Sequence, residues 1–173
     1  MNNIETSVAE KFSDWVHNLN ISDIPEEVVN KLQLIIIDSF GLMVSAKNEP
    51  YIKSLINALQ EDGNCTLVGH NKKVNPFNAS IINGTAIHGE DFDDTFEGTP
   101  VHVGSVMVPA ILSSAQAKNL DGQKFLKGLV VGSELICRLA LVAPTAVHRQ
   151  GFHPTAIFGA FGSSIGVSSL LGN

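Results

Sequence analysis

Side chains able to do acid–base chemistry are concentrated in one short part of this 173-residue sequence, between residues 83 and 102. They include His88, Asp91, Asp93, Asp94 and His102, and Thr95 beside them can donate a hydrogen bond. Imidazole has an ordinary pKa near neutrality, so a histidine can accept and return a proton at physiological pH. The rest of the chain is apolar and weakly charged, which makes this stretch the first candidate for a functional site.

A second polar loop, residues 148–153, carries Arg149 and His153. Removing a proton next to a carboxylate requires a base, together with groups that stabilise the enolate-like charge that develops. We therefore predict that His102 and His153 act as general acid/base residues. Arg149 is either a solvated loop residue or a ligand for a substrate carboxylate.

Two other interpretations of the first stretch remain open. One is a divalent-metal site, because imidazole and carboxylate are ligands for several such ions. Its candidate ligands are His88, Asp91, Asp93 and His102. No paired-cysteine or HExxH spacing supports a metal, so the sequence favours a site without one. In the other, purely structural interpretation, the aspartates end a helix and local hydrogen bonds satisfy the histidines.

Helices must position these polar segments. Apolar residues at helical spacing predict helices over residues 8–19, 26–46, 106–117 and 125–142, with shorter ones after Pro50 and Pro76 and a last one after Pro154. A capping side chain followed by proline marks two of the starts, Asp23–Pro25 and Asn75–Pro76. Cys65–Val68 is a short apolar run typical of a strand. The fold predicted from this pattern is a single all-α domain over residues 1–173.

Two of the predicted helices have unusual surfaces. Apolar residues fill most of Leu32–Val44, and a helix with almost no polar face is expected to be covered by protein on most sides. The last helix carries small residues at Ala156, Gly159, Ala160, Gly162, Ser163 and Gly166. Glycine costs up to about 1 kcal/mol inside a helix. We therefore expect the small residues to allow close approach of another helix backbone.

Composition limits the possible partners and locations. The net charge is -6, with 17 acidic residues against 11 basic ones, so no basic surface for nucleic acid is expected. Cys65 and Cys137 lack CxxC spacing and are predicted to be free thiols in a reducing compartment. The first residues show no secretory signal, and Leu129–Val142 falls short of the roughly 20 residues that span a bilayer. We predict a cytoplasmic protein without membrane contacts.

The motifs, in their order, resemble the amino-terminal helical domain of the MmgE/PrpD family, which includes 2-methylcitrate dehydratase, cis-aconitate decarboxylase and iminodisuccinate epimerase. The segments that carry the resemblance are Asn83–Gly84, His88, Asp91–Thr95, the His102 loop and Gly151–Ala156. The resemblance covers nearly the whole chain and implies a helical bundle that lacks the α+β domain following it in the family. The chain is therefore expected to be incomplete, with a family lysine and further site groups beyond its end.

The resemblance extends to individual positions. Asp91 and Thr95 match the first aspartate and the threonine of the family's DFDDT-like segment. His102 matches the histidine of the following loop, and His153 matches the histidine of the GFHPT segment. We accordingly predict that His102, His153 and Asp91 are catalytic. The predicted substrate-binding residues are Thr95, Asp94 and Arg149.

The activity that the resemblance implies is that of a lyase or isomerase without cofactor or metal, which removes a proton next to a carboxylate of a small di- or tricarboxylate. Val103 replaces a proline found in many members, and Phe96–Glu97 replaces a Trp–His pair of some decarboxylases. These differences favour dehydration of the 2-methylcitrate type. A homodimer is expected from the family. The alternative is an inactive helical subunit or fragment that assembles with a separate carboxy-terminal half.

Overall fold

The computed structural model describes residues 6–59 and 61–173, and in this range it contains eight α-helices and one small sheet. The helices are α1 (Val8–Asn18), α2 (Glu26–Ala46), α3 (Pro50–Ala58), α4 (Pro76–His88), α5 (Val103–Ala117), α6 (Gly122–Val142), α7 (Ala146–Arg149) and α8 (Pro154–Leu171). The strands β1 (Asp62–Thr66) and β2 (Lys73–Val74) pair antiparallel. The predicted all-α class is confirmed. The single domain over residues 1–173 stays a prediction, and its first five residues lie outside those described.

The two helix starts predicted from a capping side chain and a proline have different outcomes. At α4, Asn75 Oδ1 accepts a hydrogen bond from the Asn78 backbone N–H at 2.8 Å, so this start is confirmed. α2 does begin at Glu26, after Pro25, but no side chain caps it. The predicted cap, Asp23, lies instead in a short 3-10 turn, where its carboxylate accepts a hydrogen bond from Asn20 Nδ2 at 3.0 Å.

Glycines of α8 lie directly against the backbone of α6. A Cβ atom placed on Gly162 would be 2.9 Å from the carbonyl oxygen of Gly132, and one on Gly166 would be 2.8 Å from that of Gly128. Real Cβ atoms essentially never approach backbone this closely, so the contact requires glycine on both helices. The prediction that small residues of the last helix allow close approach of another helix is confirmed. The partner is α6, which precedes α8 in the chain.

α2 is less covered than its composition predicts. Leu32 and Met43 are buried, but Leu34 and Ile37 are 61% and 68% exposed. The prediction that this helix is covered on most sides is therefore wrong for the part of the chain that the structure describes. The reason is that the described elements, chiefly α4, α5 and α6, contact α2 on one side only.

Two of the helices, α2 and α8, are long and apolar enough to cross a membrane when judged by length and composition alone. Helices in the core of a water-soluble protein meet the same criterion. For α8 the apolar character has a local explanation, because its small residues pack against α5 and α6. The absence of membrane contacts stays a prediction.

Both cysteines have a free thiol, as the sequence predicts. Cys65 is fully buried, and burial raises its pKa. Burial and the nearby carboxylate of Glu134 raise the pKa of Cys137 to about 11. Neither thiol is therefore suited to act as a nucleophile at neutral pH.

Asn83 links α4 to the small sheet, and Asn83→Ala is expected to lower the free energy of unfolding by about 2 kcal/mol. The side chain is buried; its Oδ1 accepts from the Val68 N–H at 3.1 Å, and its Nδ2 donates to the Thr66 carbonyl at 3.0 Å. Alanine would leave two partly buried backbone groups without their side-chain partner. Urea unfolding measures the difference, with the exposed Asn30→Ala as control. Equal stability of Asn83→Ala and wild type would show that these bonds contribute nothing.

α5 contacts both α4 and α8, and this arrangement determines where the polar segments meet. The backbone N–H of His102, just before α5, donates to Thr155 Oγ1 in the first turn of α8 at 3.0 Å. Thr155 is buried, so the bond is shielded from water. The end of α4 and the starts of α5 and α8 thus come together on one side of the molecule.

Candidate active site

Three imidazoles meet where α4 ends and α5 and α8 begin. His88 is the last residue of α4, and His102 and His153 are the residues immediately before α5 and α8. The His88 ring centroid is 4.8 Å from that of His102 and 5.3 Å from that of His153, while the latter two are 6.4 Å apart. The fold therefore brings together the two histidines predicted to be catalytic and adds a third between them.

The carboxylate of Asp93 lies between two of these rings. Its side chain has no exposed surface, and its two oxygens are 3.0 and 3.1 Å from His88 Nδ1. His102 Nδ1 is 3.4 Å from Oδ1, a charge contact outside hydrogen-bond geometry. Because a carboxylate only accepts hydrogen bonds, a neutral His88 carries its hydrogen on Nδ1 and its lone pair on Nε2. Asp93 thus sets the orientation and tautomer of His88.

His153 faces the free nitrogen of His88, with their Nε2 atoms 3.3 Å apart. Since the neutral His88 has a lone pair there, His153 supplies the hydrogen of this bond and keeps a lone pair on Nδ1. Burial lowers the pKa of His153, and the neighbouring imidazoles of His88 and His102 lower it further. Asp91 and Asp93 oppose this shift. The lowered pKa favours the neutral ring, which is the form that accepts a proton.

Asp91 stands on the rim of the cluster in a left-handed backbone conformation, with φ of 56°. Aspartate and asparagine adopt this conformation more readily than other residues with a side chain, and Asn119 does so as well, with φ of 51°. Asp91 Oδ1 lies 3.7 Å from His102 Nε2, and the side chain is 80% exposed. Tyr51 Oη donates to Glu90 at 2.9 Å, next to Gly89, where a Cβ atom would be 2.5 Å from the same hydroxyl. Tyr51, which is not part of the imidazole cluster, thus packs against the turn that precedes Asp91.

Asp94 anchors the beginning of α5. Its Oδ1 accepts from the Gly104 N–H at 2.8 Å and its Oδ2 from the Val103 N–H at 3.3 Å. The side chain of His102, at the capping position, makes no such bond. Burial raises the pKa of Asp94, the Gly104 N–H opposes the shift, and the charge of Asp93 adds to it. Asp94 therefore positions the His102 segment, and its contact with substrate stays a prediction.

Asp94→Ala is expected to lower the free energy of unfolding by about 1–2 kcal/mol, the range measured for lost helix caps. Asp94→Asn keeps one acceptor oxygen and is expected to lose roughly half as much. Chemical denaturation measures both values, with the exposed Asp14→Ala of α1 as control. If Asp94→Ala were as stable as the control, the carboxylate would not be what holds the start of α5.

Thr95 and Arg149 lie apart from the imidazoles. Arg149 is exposed at the end of α7, and within the described ranges no hydrogen bond or ion pair joins it to the cluster. Thr95 is exposed on a groove of about 870 Å³ between α2 and α6. The carboxylates on that groove are Glu27, Asp38, Asp94, Glu97 and Glu134, against the single cation Lys31. Such a lining disfavours an anionic substrate. The roles of Thr95 and Arg149 in substrate binding stay predictions.

A smaller depression, of about 460 Å³, opens directly beside His88 and His153. Small side chains of α4, α5 and α8, such as Gly84, Ser105 and Ala156, leave this space free. Among the residues that the structure describes, neither lysine nor arginine lines it. The arrangement can accept and return protons, but it does not by itself neutralise a substrate with several negative charges.

Sequence reasoning placed neither His88 nor Asp93 among the catalytic residues. Both belong to the cluster because α4 ends at His88 and a tight turn brings the chain back so that Asp93 reaches its ring. The signal was present in the sequence as a histidine at the end of a predicted helix followed by a run of aspartates. The residues considered as metal ligands, His88, Asp91, Asp93 and His102, offer ligand atoms within 4.8 Å of one another.

Comparison with known proteins gives a match over almost the full length of the chain. A family model described as MmgE/PrpD N-terminal domain matches residues 10–173. The cis-aconitate decarboxylase-like protein oryM of Aspergillus oryzae is 28% identical over 97% of this chain and 37% of its own length. Cis-aconitate decarboxylase of Aspergillus terreus is 24% identical over 98% of this chain and 36% of its own length. Cis-aconitate decarboxylase of Homo sapiens is 26% identical over 96% of this chain and 36% of its own length. The chain spans little more than a third of these curated relatives.

Proposed function

The chain belongs to the MmgE/PrpD family, and from that premise we propose that it forms the helical part of a lyase or isomerase acting on a small di- or tricarboxylate. The observation that carries the proposal is the meeting of His102 and His153 with His88 and Asp93, two of which, His88 and His153, line an open depression. The names of the relatives, cis-aconitate decarboxylases, support a polycarboxylate as the class of substrate.

In the proposed reaction a neutral imidazole removes the proton from the carbon next to a substrate carboxylate. We assign this step to His102, because the buried negative charge of Asp93 at 3.4 Å stabilises the imidazolium that forms. The electrons of the broken C–H bond move onto the carboxylate as an enediolate. His153, after taking up a proton from solvent at Nδ1, then gives that proton to the hydroxide that the enediolate expels, which departs as water, or to the opposite face of the carbon, which inverts it.

Within this class we propose dehydration of the 2-methylcitrate type. Phe96–Glu97 stands where some decarboxylases of the family have a Trp–His pair, and Val103 where many members have proline. Glu97 is exposed and adds a negative charge to a region already rich in carboxylates. Decarboxylation is the second candidate, and the specific observation in its favour is the name shared by the relatives at 24–28% identity.

The active assembly must contain cations beyond those that the described residues bring to the depression, since a di- or tricarboxylate brings two or three negative charges. We propose that these cations come either from a second copy of the chain or from a polypeptide that corresponds to the part of the relatives which this chain does not match. A cytoplasmic homodimer remains our proposal for the working form. The alternative is an inactive helical subunit that assembles with a separate carboxy-terminal half.

The surface available for assembly differs from the one that the sequence suggests. The glycine-rich face of α8 is covered by α6 and so offers no free docking face. Exposed apolar side chains remain on α2, at Leu34 and Ile37, and on α8, at Phe161. These residues, rather than the glycines, are the ones whose exposure can change when the chain assembles.

Proton exchange tests the proposed function. The purified chain is sized by light scattering and then incubated in deuterated water with a panel of di- and tricarboxylates, and the α-protons are followed by NMR. Exchange on at least one compound supports the proposal. Exchange that appears only after a carboxy-terminal partner is added supports the alternative subunit. An absence of exchange under both conditions contradicts a role in acid–base catalysis.

A further inference from the structure

The facing nitrogens of His88 and His153 stand at a separation that suits a shared metal ion. Their Nε2 atoms are 3.3 Å apart. Zinc binds imidazole nitrogen at about 2.0–2.1 Å in tetrahedral geometry, which places two such nitrogens roughly 3.3–3.4 Å from each other. The same separation accommodates a hydrogen bond, so the pair can hold either a proton or an ion between its two nitrogens.

Asp93 prepares His88 to bind an ion. Its carboxylate accepts a hydrogen bond from His88 Nδ1 at 3.0 Å and leaves the Nε2 lone pair on the side of His153. Histidines that bind metals almost always donate their other ring N–H to a carboxylate, carbonyl or water, and a carboxylate raises their basicity. The Asp93 side chain has no exposed surface, so it is suited to orient His88 without binding the ion itself.

His102 and Asp91 offer the remaining ligands. His102 Nε2 is 3.7 Å from Asp91 Oδ1, and the His102 ring centroid is 4.8 Å from that of His88. Asp91 is exposed on the rim, so its side chain can turn towards an ion without losing buried contacts. Three imidazoles beside two carboxylates, with no lysine or arginine on the adjoining depression in the described ranges, make a site that favours added positive charge.

From this geometry we propose that the three imidazoles and Asp91 form a binding site for a divalent transition-metal ion such as Zn²⁺. Three nitrogens and one carboxylate oxygen are a ligand set that suits Zn²⁺. The ion occupies lone pairs of His102 and His153 that the proposed reaction needs, so it inhibits proton transfer. The inhibition rests on the proposed function, whereas the metal site itself does not. The ion is therefore an inhibitor and not a cofactor.

Metal binding can be measured without any substrate. The chain is treated with a chelator, dialysed and titrated with Co²⁺, whose tetrahedral complexes absorb visible light, and with Zn²⁺ in a calorimeter. We expect one ion per chain and displacement of Co²⁺ by Zn²⁺. His153→Gln and, separately, Asp91→Asn are expected to weaken the affinity by at least about tenfold. His148→Gln, on the exposed α7, is the matched control and is expected to bind like wild type.

Each outcome decides a part of the proposal. If Zn²⁺ did not saturate at one ion per chain, or if His153→Gln and Asp91→Asn both bound as tightly as His148→Gln, the metal site would be excluded. Circular dichroism of the variants confirms that they are folded. Metal binding as expected, in a protein that exchanges no carboxylate α-protons either alone or with a carboxy-terminal partner, supports the site and contradicts the proposed function. An active protein that saturating Zn²⁺ does not slow would contradict the inhibition.

Discussion

His102→Gln is expected to slow α-proton exchange by about 10²–10⁴-fold in the active assembly, the range that a positioned general acid or base contributes. Glutamine fills part of the space of the imidazole but cannot accept a proton at neutral pH. The backbone bond from residue 102 to Thr155 does not depend on the side chain, so the local fold should persist. His153→Gln is expected to have an effect of the same order, because it removes the group that returns the proton.

Two other histidines provide the control for this result. His17 on α1 and His148 on α7 are exposed, and their replacement by glutamine is expected to change the exchange rate by less than about twofold. Residues that act together in one step give non-additive losses, so His102→Gln/His153→Gln should lose little more than the worse single variant. Unchanged turnover in either single variant would remove that histidine from the mechanism.

Gly162→Ala is expected to lower the free energy of unfolding by about 3 kcal/mol, at the upper end of the cost of overpacking. The added Cβ would lie 2.9 Å from the carbonyl oxygen of Gly132 and 3.1 Å from the Cβ of Ile136. A backbone atom on a packed helix cannot move aside as a flexible side chain can. For a chain of this size, such a loss lowers the melting temperature by roughly 6–12 °C. Calorimetry measures the change.

A second helical glycine gives the opposite expectation and so serves as the control. Gly41 lies inside α2, and a Cβ placed there would meet nothing within 4 Å. Gly41→Ala should therefore stabilise the protein by about 0.5–1 kcal/mol, because alanine restricts the unfolded chain more than glycine does. If both variants changed stability in the same direction, the close contact between α6 and α8 would not be the cause.

Helix positions could be predicted from the sequence because periodicity reports the faces of a single helix. Which face is covered depends on neighbours that may be far away in the chain, and this is where the prediction for α2 is wrong. Its apolar composition indicates burial, yet Leu34 and Ile37 remain exposed among the described elements. The small residues of α8 were easier to interpret, since glycine inside a helix has few explanations other than close packing.

The site shows the same division between local and distant information. His102 and His153 could be found from short motifs, and the structure brings both to one place. The role of His88 could not be derived in this way. Its contact with His153, 65 residues later in the sequence, depends on how α4 and α8 are placed relative to each other. Asp93 reaches His88 through an irregular turn, in which no periodic pattern indicates the direction of a side chain.

The position of the His88–His153 pair on its helices polarises the two rings. His88 ends α4, where the aligned peptide dipoles leave a partial negative charge, while His153 stands at the positive end of α8. Each such charge is worth about 0.3–1 kcal/mol near the surface, and up to about 2 kcal/mol when partly buried. Both fields act in the same direction. The helix ends therefore disfavour a positive charge on His153, in the same direction as the lowered pKa that burial gives this ring.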